Sequence, residues 1–444
     1  MRMRSAILCV MMLMVLTSFP FGIVREAAAG EEPAAPRFKW GFAERIRQAY
    51  ILNGIDLEND TDDDRNYIRV RSQLWASLRP SEGIELYAML NNEHRHWMKP
   101  DTDFDIDELI FENLYLRLDR IGGSPVSVIV GRQNIMLGEG FILLDGGPLD
   151  GSRTAYLNAF RMIVEDEERS FELHVISDPH RDEYFPRINS KQKPLIEWDE
   201  TGAGLYFTEK KLSRLKFEGY YEFKREKQED DFLLETKLHT FGVRVSGSPY
   251  ERLGIAGELA VQRGERGDGD RRGAGGYFHA TYAVPAPLEP KFTAGAIYLS
   301  GDDPKTADYE GWDPLYGRWP KWSELYIYTL IRETGVAYWT NMFAPYLGVT
   351  LKPHERLELI ARGYLVSTPE EAPQVWDAGL EEWRFLAMFG DGQRRGTLMT
   401  AQLKWSFTEY LSGHLLWERF DPGSYYHDGA DTAHFLRWEI YFKY

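Results

Sequence analysis

The sequence predicts an all-β protein, a single transmembrane antiparallel up-and-down β-barrel of about 18 strands with short periplasmic turns and long outer loops. Three observations predict it: apolar and polar residues alternate along most of the chain, short and long connections interleave, and the N-terminus has the pattern of a secretory signal. The 444 residues include 52 Lys and Arg against 69 Asp and Glu, a net charge of −17, and aromatic residues make up 14%. This acidic balance excludes a general nucleic-acid binder, which needs a basic face.

The N-terminus has the features of a signal peptide. Arg2 and Arg4 precede an apolar run from Ala6 to Leu16, and Ala27-Ala28-Ala29 follows as an A-x-A cleavage site. The apolar run is short for a membrane anchor, which needs ~20 residues. Cys9 lies inside it, so the processed chain has no cysteine for disulfides or a Cys-based zinc site. The expected boundaries are a signal peptide at 1–29, a short N-terminal extension at 30–37 and the barrel at 38–444.

The strands show period-2 alternation. Between Leu215 and Phe223 the odd positions are apolar or aromatic and the even ones are mostly charged, and Tyr67–Leu78 and Leu436–Tyr444 repeat the pattern. Such strands have one apolar and one polar face. A soluble β-sandwich or propeller also alternates. However, its water-facing strands would be rich in Thr and Ser, whereas the polar face here carries Arg and Glu. We therefore expect the apolar face to contact lipid.

The connections fall into two classes that alternate strictly along the chain. Eight are short and nine are mostly longer and acidic or rich in Trp, which requires eighteen strands with both termini on the side of the short turns. This asymmetry is typical of outer-membrane barrels. The short set is Arg79–Gly83, Asp119–Pro125, Glu165–Ser170, Thr208–Arg214, Ser246–Arg252, Val284–Pro290, Leu351–Arg356 and Phe407–Leu411. The long set is Ile51–Asp64, Met98–Glu108, Asn134–Asn158, Asp178–Asp199, Arg225–Phe232, Arg263–Arg272, Ser300–Arg332, Thr368–Gly392 and Asp421–Thr432.

If the apolar face contacts lipid, the other face lines the lumen, and its first strands are rich in arginine. Guanidinium groups stay charged and bind carboxylates with a planar fork of donors, and rings of such charges set pore selectivity. Taken singly, each arginine could equally be an ion-paired residue of any porin; the cluster of Arg45, Arg47, Arg69 and Arg71 favours selectivity. The predicted lumen residues are Arg45, Arg47, Arg69, Arg71, Glu93, Arg95, Arg117, Arg161, Arg244 and Arg362, with Glu218, Glu222, Glu258, Glu358 and Glu418 as acidic counterparts.

Three short motifs resemble the bacterial alginate-export outer-membrane proteins. They are Phe-Glu-Asn-Leu-Tyr-Leu at 111–116, Val-Gly-Arg-Gln at 130–133 and Gly-Glu-Gly at 138–140. The resemblance extends from about Phe38 to Tyr444. It implies an eighteen-stranded barrel whose pore arginines and carboxylates form a path for a polyuronate chain. It also implies pore roles for Arg132, Arg161, Arg45, Arg69 and Arg362.

Two further groups of residues, one acidic and one of tryptophans, are candidate binding sites. Asp101, Asp103, Asp105 and Glu112 occupy positions 1, 3, 5 and 12 of an EF-hand-like calcium loop. Ile106 replaces the glycine that the loop needs, so a hydrated acidic outer loop is the favoured interpretation and no metal site is expected. The tryptophans of the longest connection would either stack on sugar rings or pack that loop into the pore mouth; they are Trp312, Trp319 and Trp322.

The leading hypothesis is a passive channel in a Gram-negative outer membrane that conducts an anionic polysaccharide or oligosaccharide. A substrate-selective or general porin for small solutes, including small anions, is the alternative within transport, and a structural or adhesive barrel acting through its outer loops is the alternative from another class. The expected surroundings are outer-membrane lipid and lipopolysaccharide, with periplasmic export partners for an exporter. A phosphate loop, a zinc-protease motif and a nucleophile elbow are absent from the sequence, so we predict no enzyme and no cofactor.

Overall fold

A computed structural model describes residues 37–444, apart from 103–104, 145–156, 186–195, 197, 213, 228–233, 318–321, 327–332, 334–338, 373, 378–381 and 386–387. The predicted signal peptide therefore lies outside the described residues. The strands are β1 Arg37–Leu52, β2 Arg65–Ser81, β3 Ile84–Lys99, β4 Asp105–Leu118, β5 Val126–Gln133, β6 Leu157–Glu165, β7 Arg169–Asp178, β8 Glu200–Leu212, β9 Leu215–Glu226, β10 Thr236–Tyr250, β11 Leu253–Arg266, β12 Gly269–Ala283, β13 Lys291–Leu299, β14 Met342–His354, β15 Leu357–Ser367, β16 Gln374–Asp377, β17 Glu382–Phe385, β18 Arg394–Ser406, β19 Leu411–Pro422 and β20 Ala433–Lys443. A short 3-10 helix spans Ile121–Gly123.

Eighteen of these strands form one closed antiparallel sheet. Each pairs with its neighbour in the chain, and β15 pairs with β18 because β16 and β17 form a separate hairpin inside the connection between them. The last strand pairs with the first, with Ile440 opposite Ile46, and this pairing closes the barrel. A closed sheet leaves no strand edge unpaired, as a lipid environment requires. The predicted eighteen-stranded barrel is confirmed.

The two ends of the barrel differ in the length of their connections. At one end, eight turns of two to seven residues join the strands; at the other lie long loops such as 134–156, 179–199, 300–341 and 368–393. Two connections predicted to be long, Met98–Glu108 and Arg263–Arg272, are short, since the flanking strands continue into them. Between β11 and β12 a two-residue turn remains, where Gly267 adopts a φ of 57°, a conformation that suits glycine.

The two faces of the sheet match the predicted alternation. Outward side chains such as Phe241, Leu259 and Leu347 are exposed, while the inward positions beside them include the polar residues Thr240, Glu258 and Tyr346. Directly paired positions share a face, so the register Arg244–Glu218 and Arg244–Glu258 places all three side chains inside. Among the described residues, no helix combines the length and apolar character needed to cross a bilayer.

The buried apolar core lies inside the barrel. Loop 134–144 and loop 300–341 fold inward, and the ring of Phe141 stacks on Trp312 at 5.1 Å between centroids. Leu143 forms a bridge with Tyr316, whose hydroxyl lies close to Gly202 on the inward face of β8. The long loops therefore fill part of the lumen near their own end of the barrel.

Candidate functional site: the pore lining

The predicted arginine cluster forms two rows across three adjacent strands. Arg45 on β1 lies opposite Arg71 on β2, which lies opposite Glu93 on β3. Two residues along each strand, Arg47 lies opposite Arg69, which lies opposite Arg95. All six side chains occupy the inward parity, because Ile46 and Leu74 on the other parity are exposed on the outer wall. The structure therefore brings Arg45, Arg47, Arg69 and Arg71 together on one inward face.

In the described chain, the strand carboxylates that face this cluster are Glu93, Glu439 and Glu112, and the last of these interacts with Arg71 and Arg45. Glu93 lies 3.4 Å from the Arg69 Nε and 3.9 Å from Arg45. Glu439 on β20 lies 3.7 Å from Arg45 and 3.9 Å from Arg47. Each carboxylate is thus shared between two guanidinium groups.

One inward arginine of this region, Arg437, was not among the lumen residues predicted from the sequence. Arg437 on β20 is directly paired with Ala49 of β1, so it lies on the inward face beside the rows. Its Nε donates to His414 at 3.1 Å, and its Nη1 lies 3.3 Å from Glu324 of loop 300–341. The alternation of the last strand already marked this position as polar, and that signal would have sufficed to find it. The arginine patch is hereafter Arg45, Arg47, Arg69, Arg71, Arg95 and Arg437.

The patch presents its charge to the lumen unevenly. Arg45, Arg47 and Arg69 are 2–5% exposed, whereas Arg71 and Arg95 are half-buried. The Arg95 guanidinium lies 4.8 Å from the ring centre of Tyr67 and 5.0 Å from that of Trp97. Stacking on aromatic faces orients a guanidinium without neutralising its charge. Arg71 and Arg95 are therefore the members most accessible to an ion in the lumen.

Arg132, which the resemblance placed in the pore, is fully enclosed and lines no open passage. Its guanidinium donates to both carboxylate oxygens of Asp182, at 2.9 and 3.0 Å, and to the Asn158 side chain at 2.9 Å. The ring of Phe185 covers it at 4.5 Å. Because Asp182 and Phe185 belong to the loop after β7, Arg132 anchors that loop to the end of β5.

The remaining predicted residues are spread around the barrel. Arg161 on β6 makes a two-fold contact with Glu172, at 2.6 and 2.7 Å. Arg117 on β4 pairs with Asp119 at 2.9 Å near the short-turn end. Arg362 on β15 faces inward and is exposed. The structure therefore does not gather these arginines into one constriction with the patch.

The inward face of β8 to β12 forms a wall of carboxylates and tyrosines, in contrast to the arginines of the patch. Tyr206 donates to Glu218 at 2.9 Å, and Tyr220 donates to Glu258 at 2.9 Å. Arg244 contacts Glu218 and lies 3.2 Å from Glu139 of loop 134–144. The charges of this wall are therefore paired with one another or with the inward loop.

Loop 300–341 is attached to the wall through Asp313, a fully buried carboxylate that the sequence did not single out. It lies 3.2 Å from the Lys224 ammonium and 2.9 Å from Arg271. Its own backbone N–H donates to Gln262 at 2.9 Å. Burial by itself raises the pKa of Asp313, but Lys224 and Arg271 outweigh burial and lower this pKa below its ordinary value. Arg271 escaped prediction because it lay in a stretch interpreted as loop.

A second attachment uses Glu418 on β19, one of the predicted inward carboxylates. Its oxygens accept hydrogen bonds from the Ser323 hydroxyl at 2.6 Å and from the backbone N–H of Leu325 at 2.9 Å. Nearby, Trp322 packs edge-on against Trp339 at 4.9 Å. Trp312 is fully buried, so it packs the loop, while Trp319 lies outside the described residues.

The calcium-like spacing does not form a loop. Asp103 lies outside the described residues, and the chain from Asp105 to Glu112 runs as one strand. At ~3.3 Å per residue an extended strand keeps these two positions far apart. Glu112 instead accepts a hydrogen bond from Gln73 at 2.7 Å. Among the residues that the structure describes, no group of three or more His, Cys, Asp or Glu side chains is arranged to hold a metal ion.

The comparisons with known proteins agree with this geometry. The family described as alginate export matches residues 40–438 of the chain. The chain belongs to the alginate-export family. A comparison with curated protein sequences gives no match. The family assignment confirms the resemblance seen in the sequence and, with the barrel, identifies an outer-membrane channel; both point away from an enzyme.

Solved outer-membrane barrels share the fold at low identity. OpdQ of Pseudomonas aeruginosa is 11% identical, with a TM-score of 0.58, over 92% of this chain and 97% of that chain. OprD of the same organism is 9% identical, with a TM-score of 0.55, over 91% and 95%. OccK2 (OpdF), crystallised in complex with glucuronate, is 11% identical, with a TM-score of 0.54, over 91% and 97%. At this identity the likeness concerns the fold alone.

Proposed function

We propose that this outer-membrane channel is passive and conducts an anionic polysaccharide or oligosaccharide outward, with the arginine patch as its selective surface. The observation that carries the proposal is the imbalance of charge on β20, β1, β2 and β3. In the described chain, six inward arginines face three strand carboxylates, Glu93, Glu112 and Glu439, and one loop carboxylate, Glu324. The patch therefore keeps a positive excess although the whole chain is acidic.

The arrangement suits a chain of carboxylates better than a single ion. Neighbouring strands lie about 4.8 Å apart, and side chains of one face recur every ~6.6 Å along a strand. The patch therefore offers several guanidinium groups at short, regular intervals. A cargo with repeated carboxylates can exchange one contact for the next, and weak binding at several sites is what conduction requires.

The first test is ion selectivity. The channel should prefer anions in planar bilayers, because charges in a narrow lumen are screened less than the loop charges, which salt screens beyond ~8–10 Å. Replacing the two accessible arginines together, Arg71→Ser and Arg95→Ser, should shift the reversal potential toward cations. The matched control removes two outward arginines, Arg169→Ser and Arg419→Ser, and should leave the reversal potential unchanged. A wild-type channel that already prefers cations would refute the proposal.

The second test concerns the size of the cargo. Uronate polymer added on the periplasmic side should block small-ion current, and neutral glucan of equal length should block it poorly. The inward loops favour a second candidate, a channel for small acidic solutes, and a barrel of the same fold binds glucuronate. Block by monomeric glucuronate with no additional effect of the polymer would favour this candidate.

The location of the channel requires export of the chain. We propose that residues 1–29 are removed after Ala29, and N-terminal sequencing of protein isolated from outer membranes checks this. Sequencing that begins at Met1 would refute it.

A further inference from the structure

One sector of the outer wall is polar at the level where lipid tails should contact it. On β1, β2 and β3, the outward residues Glu44, Ser72 and Asn92 lie side by side, with Glu44 opposite Ser72 and Ser72 opposite Asn92. They are the eighth residue of β1, the eighth of β2 and the ninth of β3, so the row crosses the middle of three strands of 16 or 17 residues.

The row is out of keeping with the rest of the wall. Phe42 and Ile46 flank Glu44 on β1 and are exposed to the outside. On the far side of the barrel, mid-strand outward positions of β11 to β15 are apolar: Leu259, Phe278, Ala294, Leu347 and Ala361. A carboxylate or amide facing hydrocarbon is costly, and such residues in membrane proteins usually serve a contact or a function.

Glu44 has no hydrogen bond or ion pair within the described part of the chain. Other polar groups on this wall are satisfied internally: the Gln48 amide donates to Asn66 at 3.1 Å and accepts from the Trp438 indole at 3.1 Å. Beyond the neighbouring Leu74–Leu90 pair, Ala76 lies opposite Ala88 on the same outward face, so small residues follow on one side of the row. Small residues allow close approach of another backbone in a membrane.

We propose that the β1–β3 sector is the interface with a second copy of this chain in the membrane. Two copies in one membrane share the same orientation, so their symmetry axis is parallel to the membrane normal. An axis beside β2 places β1 of each copy opposite β3 of the other. Glu44 of each copy then lies across the interface from Asn92 of the other, and Ser72 lies across from Ser72. Charge and hydrogen-bonding capacity are thus self-complementary, as a two-fold interface requires.

The geometry gives a cross-linking test. In a Cys9→Ala background, Ser72→Cys should form intermolecular disulfides on mild oxidation of outer membranes, because a residue on the axis approaches its own copy. Ala76→Cys, four residues further along the tilted strand and therefore away from the axis, should cross-link less. Ala294→Cys, outward and mid-strand on the opposite wall, is the matched control and should not cross-link. Cross-linking of Ser72→Cys no greater than that of the control would overturn the proposal.

A measurement without cysteine variants completes the test. Light scattering of the detergent-solubilised wild-type protein should give the mass of two chains. Glu44→Leu should lower the dimer fraction at least several-fold while the barrel still folds, since leucine suits lipid at this position. A monomeric wild type, or a dimer that Glu44→Leu leaves unchanged, would show that another feature explains the polar row.

Discussion

The attachment of loop 300–341 through Asp313 gives the sharpest prediction about the pore. In Asp313→Asn the side chain keeps its shape but loses its charge. Lys224 and Arg271 then stay buried, at 4% and 2% side-chain exposure, with less negative charge to compensate them. We expect the loop to leave its inward position for a measurable fraction of the time.

The magnitude follows from the partners that remain. Removing one partner of a buried ion pair costs about 3–5 kcal/mol. Lys224 keeps Glu226 at 2.6 Å, and this contact reduces the cost on its side. The Arg271 guanidinium also lies 4.8 Å from the ring centre of Tyr309, a contact that does not replace the lost negative charge. We take the lower end, about 3 kcal/mol, which is roughly a 100-fold change in the equilibrium between inward and released loop.

Single-channel recording measures this change directly. Asp313→Asn should show larger conductance or frequent transitions to a larger conducting state. Asp303→Asn is the control, since its carboxylate only accepts a backbone hydrogen bond from Lys305 in the outer part of the same loop. Asp313→Asn records that match those of the wild type would refute the view that this carboxylate holds the loop.

The same contact predicts a pH dependence. Lys224 and Arg271 lower the pKa of Asp313 despite its burial, so folded protein keeps this carboxylate charged below the ordinary pKa of an aspartate. The contribution of Asp313 to loop attachment is therefore fully present above that ordinary pKa, ~3.9. It is lost only as the pH falls through the lowered value. Conductance should stay constant from pH 7 to about pH 4.5, and a transition near pH 5–6 would contradict this assignment.

Two predictions concern the barrel itself. Val243→Arg, outward near the middle of β10, should destabilise the barrel by about 2–4 kcal/mol in refolding titrations. The control Gln73→Arg, inward beside Glu112, should destabilise it far less. Equal losses of stability in the two variants would mean that the inward and outward faces are assigned the wrong way round. In intact cells, Asp62→Cys at the long-loop end should react with an impermeant thiol reagent and Ser81→Cys at the short-turn end should not; early labelling of Ser81→Cys would invert the topology.

The strands could be predicted because membrane insertion imposes a local rule. Every strand must be apolar on one face, and a single shift of register would move all its side chains to the other face. The inward grouping of Arg45, Arg47, Arg69 and Arg71 therefore followed from parity and from the order of the strands, whereas the pairs Arg45–Arg71 and Arg47–Arg69 required the register. The polar row at Glu44 is an exception to this rule, because it lies on the outward face. It could not be recognised as a row until the register of three strands was known.

The loops could not be predicted, because their positions depend on pairings that are distant in sequence. The Arg132–Asp182 and Lys224–Asp313 pairs join residues 50 and 89 positions apart. Alternation says only that Lys224 faces inward; it does not reveal that a loop carboxylate reaches it. The same holds for Arg132, since the motif identifies the residue but not the loop residues that enclose it.

The placement of the loops also explains why an acidic chain can have a positive path. The loop carboxylates Asp313 and Glu139 are drawn to cations on β9, β10 and β12, because Lys224, Arg271 and Arg244 lie there. On the opposite side only Glu324 is shown reaching the arginine patch, at Arg437. The inward loops therefore neutralise the wall that they cover and leave the excess charge on β1 to β3. A mobile anion in the remaining lumen would meet that excess first, whatever the net charge of the whole chain.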